Sequence, residues 1–121
     1  MLRVHVSLHG DYDRTLAISF DNAFAALEHL PRMFIEPDGS FVWTGATEEG
    51  DRWQVDGNLI DRGDVLAYVE LKGHCPEEEF DSLLSAFGWP QSPLVFQLTQ
   101  RGVVLDEPSF RRLAASEMGA V

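Results

Sequence analysis

Residues 2–9 alternate without a break: Leu2, Val4, Val6 and Leu8 fall on one parity, and Arg3, His5, Ser7 and His9 on the other. A side-chain period of two belongs to an extended strand, and apolar residues on one parity mean that one face is buried and the other wet. Any fold for this chain must therefore cover one side of a sheet and leave the other polar. The habit returns twice. Trp53, Val55, Gly57 and Leu59 alternate with Gln54, Asp56 and Asn58, and Val65, Ala67, Val69 and Leu71 then oppose Tyr68, Glu70 and Lys72. Asp61-Arg62-Gly63-Asp64 reads as the hairpin turn between these two strands. Gly57, with no side chain to pack, reads as a bulge.

Residues 33–36 and 41–44 flank Pro37-Asp38-Gly39-Ser40, where proline presets φ and glycine accepts a positive φ, so a further hairpin is expected there. Two helices interrupt the strands. Ser19 or Asp21 caps the first, which runs to about Leu30 with Phe20, Phe24, Leu27 and Leu30 on one face and Pro31 as its stop. Pro76 suits the first position of the second, Glu77-Glu78-Glu79 suit its positive dipole end, and Phe80, Leu83, Leu84 and Phe87 form its buried stripe. Gly88 and Pro90 close it. Residues 94–99 then read as an interior strand, 103–105 as a short partner strand, and 109–116 as a last helix with Phe110 and Leu113 facing inward.

This order predicts an α+β fold in one domain, 1–121: a mixed, mostly antiparallel sheet with two or three helices packed on one face. The two strand-helix-strand passages are compatible with a ferredoxin-like core carrying an inserted hairpin.

Nine basic residues against twenty acidic ones leave a formal charge of −11. Nucleic-acid binding draws most of its affinity from neutralising phosphates, so DNA, RNA and anionic membranes are excluded as partners, and a basic protein is favoured. The chain itself, as a homodimer, is the other partner to consider. Mimicry of nucleic acid ranks below both, because the acids are spread along the chain and form no single stripe. The lone cysteine, Cys75, can form no internal disulfide, Leu2 already belongs to the strand pattern with no leader-like stretch before it, and no apolar run approaches the span of a bilayer. A cytoplasmic setting is expected.

The chemistry-bearing residues make no strong motif. Phosphate-binding glycine loops, nucleophile elbows and zinc signatures are missing, so no cofactor, metal or catalytic group is assigned. His5 and His9 share a strand face but stand about 13 Å apart, too far to ligate one ion. His9, Asp11 and Asp13 sit where a strand runs into the unpatterned stretch 10–19, a place that often carries function. Joined by His74 from the end of another strand, they are the candidate binding residues, and they define the alternative reading of a small metal-binding protein or enzyme. Trp89, between Gly88 and Pro90, is the candidate exposed aromatic, although locking the helix end explains it as well. Trp43 and Trp53 share parity with core residues. Cys75 shares the parity of Val69 and Leu71, which makes it a buried structural thiol. Arg62-Gly63-Asp64 is accounted for by turn chemistry. The leading expectation is a non-enzymatic binding or protein-interaction module, self-associating through an edge strand or the exposed sheet face if no other partner takes that role.

Overall fold

The alternating segments pair side by side. In the computed structural model, which describes residues 1–11, 14–99 and 102–119, the chain order is β1 (Leu2–Gly10), α1 (Phe20–Glu28), β2 (Met33–Ile35), β3 (Ser40–Ala46), β4 (Arg52–Arg62), β5 (Val65–Cys75), α2 (Glu77–Ser85), β6 (Leu94–Leu98), β7 (Val104–Leu105) and α3 (Glu107–Gly119). The strands form one seven-stranded sheet in the order β2-β3-β4-β5-β1-β6-β7. Every neighbouring pair is antiparallel, so the expected mixed sheet is corrected to an antiparallel one. The passage from β5 through α2 to β6 skips one strand, β1, whereas the passage from β1 through α1 leads to β2 at the sheet edge, with β5, β4 and β3 between.

One side of this sheet is dry. Leu2, Val4, Val6 and Leu8 are at most 1% exposed, and all three helices supply residues to the same core, among them Leu27, Phe80, Leu84 and Phe110. Ser19 caps α1: its Oγ accepts from Asn22 N at 3.1 Å. Pro76 is the residue before α2 rather than its first helical position, one place earlier than the sequence suggested. Asp106 opens α3, accepting from Ser109 N at 2.9 Å, and the helix starts two residues earlier and runs three further than the pattern implied. In the 36–40 turn, Asp38 Oδ1 accepts from both Ser40 N and Ser40 Oγ, bonds that hold its carboxyl below the ordinary carboxylate value. No helix among the described residues is long and apolar enough to cross a membrane.

Two features of β4 depart from the simple alternation. Gly57 is not a bulge: it pairs directly with Phe41, whose ring lies across it, and a Cβ there would come within 2.0 Å of Phe41 Cζ. Gly45 does the same for Trp53, which pairs with it across the strands. Large aromatics thus fold down over glycines on alternate strands, and Trp43 and Trp53 meet edge to face at 4.9 Å. The irregularity lies instead after Ile60, where the pairing steps from Ile60–Tyr68 to Asp61–Leu66 and leaves Ala67 as the extra residue. Parity flips there. Leu66 becomes buried and Val65 is 42% exposed, against the alternation expected from Val65.

Candidate functional site

Among the described residues, no helix covers the second side of the sheet. Register sorts its side chains into rows across the strands. Gln54, His74 and Arg3 form one row; Phe34, Val42, Asp56, Lys72 and His5 form the next; Asn58, Glu70, Ser7 and Gln97 follow; Ile60, Tyr68, His9 and Val95 lie beyond them. All are half-buried or exposed. A shallow groove of about 340 Å³ crosses the middle, lined by His5, Ser7, Asp56, Asn58, Glu70 and Lys72. Phe34, 64% exposed, stands beside Val42 at one margin.

His9 and His74 both face this side, but at opposite ends of it. His74 pairs with Arg3, and His9 lies six residues further along β1, about 20 Å away at ~3.4 Å per residue. The expected four-residue site is therefore not assembled: antiparallel pairing sends the end of β5 to the start of β1, away from the loop after Gly10. His9 stacks on Tyr68, ring centroids 5.4 Å apart. Asp11 is exposed just past β1, and Asp13 lies outside the described residues. Among the described residues no three His, Cys, Asp or Glu side chains gather in a metal-binding group. The 10–19 connection is also less open than its composition implied. Gly10 N donates to Arg14 O, Leu16 is in the core, and Leu16 N donates to Leu66 O.

Trp89 is half-buried against the core, with the Arg111 guanidinium 5.3 Å from its ring centroid. Arg111 also reaches Asp81 at 2.6 Å, so this corner ties α3 to α2. The Cys75 thiol is fully buried, and burial first, then Glu79, pushes its pKa from 9.0 up to about 12. Such a thiol is neither nucleophile nor ligand at neutral pH. Because the fold favours its neutral form, its contribution to stability is complete below the unfolded value and is lost as pH rises through the folded one. We expect a maleimide reagent at neutral pH to label Cys75 only after denaturant is added, as read by mass spectrometry. Rapid labelling of the native protein would contradict the burial.

Sequence reasoning missed Arg3, Arg32, Arg52 and Lys72 as members of one surface. Parity placed Arg3 and Lys72 on the wet side of their own strands, but neighbourhood needed the register. No protein-family model matches the chain, and comparison with curated proteins and with solved structures gives no match.

Proposed function

We propose that the chain is a non-enzymatic recognition module that meets a protein partner across the uncovered face of its sheet. The observation that carries this reading is that face itself: several strands wide, polar at its centre, with Phe34 exposed at one margin and the Tyr68–His9 stack at another. Transient interfaces are about as polar as ordinary surface and concentrate their energy in a few aromatics, which matches this distribution. Obligate dimers bury more apolar surface, so the face favours a different protein over a second copy. The edges favour the face over strand addition, since β2 has three residues and β7 two, and short edge strands discourage pairing. The charge of −11 selects a partner with a basic surface. A cytoplasmic setting completes the reading, in keeping with a single reduced thiol.

The test is affinity purification from the native host with the parent chain, Phe34→Ser and Glu78→Lys. One protein should be retained by the parent and by Glu78→Lys, whose change lies on α2 behind the sheet, and bound about tenfold less by Phe34→Ser. Equal retention by all three would move the interface elsewhere. A parent that sediments as a stable dimer with no other protein would replace this reading with self-association.

A further inference from the structure

At the end of the open face, a groove of about 600 Å³ is lined by Arg32, Thr44, Gly45, Arg52, Trp53 and His74, together with Ala46 and Gln54. That volume lies within the range of small-molecule sites, roughly 300–1,000 Å³. Its charge is opposite to that of the whole protein. Arg3 pairs with His74, and Lys72 precedes His74 by two residues on the same side of β5. None of Arg3, Arg32, Arg52, Lys72 or His74 has an ion-pair partner among the described residues. Asp56, opposite Lys72 in the register, takes a hydrogen bond from Gln54 Nε2 at 2.7 Å, and exposed Glu48, Glu49 and Asp51 precede Arg52 in the chain.

Two further details converge on the groove wall. Trp53 is 2% exposed, and its Nε1 is buried with no hydrogen-bond acceptor among the described residues. A buried donor is rarely left so. Trp43, its neighbour, shows the usual outcome by donating to Pro31 O at 2.8 Å. Trp53 Nε1 lies against Gly45, close enough that a Cβ there would come within 2.9 Å of it. Arg32 has φ +64, unusual for a residue with a side chain. Its Nε donates to Thr44 O at 2.8 Å, and its guanidinium lies 5.9 Å from the Trp53 ring centroid. That bond fixes the orientation of the guanidinium and leaves its terminal nitrogens to serve another acceptor.

We propose that this groove binds a small molecule bearing a carboxylate or phosphate group, held by the Arg32 and Arg52 guanidiniums and His74, with the Trp53 indole forming part of the wall. Planar guanidiniums match the oxygen geometry of both groups. The net charge of −11 opposes an anion at long range, so recognition rests on contact hydrogen bonds inside the groove. The site goes beyond the partner reading and does not depend on it.

The full chain, labelled with ¹⁵N, is titrated with inorganic phosphate and separately with citrate, sodium chloride holding the ionic strength constant, while the indole N–H resonances are followed. The Trp53 indole is expected to shift saturably with at least one probe, and the probe that saturates identifies phosphate or carboxylate as the preferred group. Arg52→Ala and Arg32→Gly should each weaken binding about tenfold or more, the loss of a charge-assisted hydrogen bond. Glycine at position 32 accepts the positive φ, so that variant also keeps the fold, and Glu78→Gln on α2 serves as the unaffected control. No saturable Trp53 shift with either probe overturns the site, as does a shift that persists undiminished in both arginine variants. Neither result bears on the Phe34 comparison, which is read by protein capture.

Discussion

Gly73→Ala is expected to lower the stability of the fold by about 3–5 kcal/mol, the sum of a strained backbone and a forced displacement. Gly73 lies inside β5 with φ +145, and a Cβ there would lie 2.0 Å from the backbone oxygen of Gln54 and 2.9 Å from Val55 Cα. Neither atom is a flexible side-chain end. To admit a methyl group, β4 and β5 must part where their ladder is hydrogen-bonded on both sides, because β5 also pairs with β1. A loss of that size is a large part of the roughly 5–15 kcal/mol by which small domains are stable. Gly63→Ala separates the two contributions. Gly63 has φ +68 but nothing within 4 Å of its would-be Cβ, so only the backbone preference is lost, about 1 kcal/mol. Guanidinium unfolding of the two variants side by side measures the difference. If Gly73→Ala were no worse than Gly63→Ala, the close approach of β4 and β5 at this point would be wrong.

Phe110→Ala should cost a similar amount, about 3–5 kcal/mol, and should be felt in α3 first. Phe110 is 2% exposed and stacks on Phe96 with centroids 4.9 Å apart and planes within 4°, while Phe80 of α2 closes the cluster at 5.8 Å. Through these rings α3 meets both β6 and α2. The polar tie beside it matters less. Arg111 is 15% exposed but its partner Asp81 is 52% exposed, so solvent screens the pair, and Arg111→Ala should cost about 1 kcal/mol, part of it through lost packing on Phe80 and Trp89. Because Phe96 and Phe110 share one contact, the double alanine variant should lose less than the sum of the two single losses. Hydrogen exchange on Phe110→Ala should show α3 amides losing protection well before those of β1 and β5. Uniform loss along the chain would mean that α3 has no independent weak point.

Much of the architecture was legible in the residues. Alternation at residues 2–9 named the buried face of β1, Pro37 to Ser40 located a hairpin, and Phe80, Leu83, Leu84 and Phe87 named the buried stripe of α2. These signals are readable because they arise within a few residues: a strand repeats every two, a helix every three or four, and turns and caps depend on adjacent backbone. Where local patterning failed, a distant residue had intervened. Gly57 reads as a bulge from its own segment, but Phe41 lies across it; Val65 reads as buried, but the irregularity after Ile60 shifts the register. The site fared worse. His9 and His74 each lie at the end of a strand, but two strands that run antiparallel bring the end of one to the start of the other.

Taken alone, the amino-acid sequence determined which segments extend, which coil, which parity of β1 is dry, and a formal charge of −11. Tertiary structure decided which strand lies beside which. Only that ordering gathered Arg3, Arg32, Arg52, Lys72 and His74 at one end of an uncovered sheet, parted His9 from His74, and brought Trp53 over Gly45. The division follows from range. Backbone preference and periodicity act between near neighbours in the chain, whereas strand order and register are set by the burial of the whole apolar surface at once, which no single segment can express.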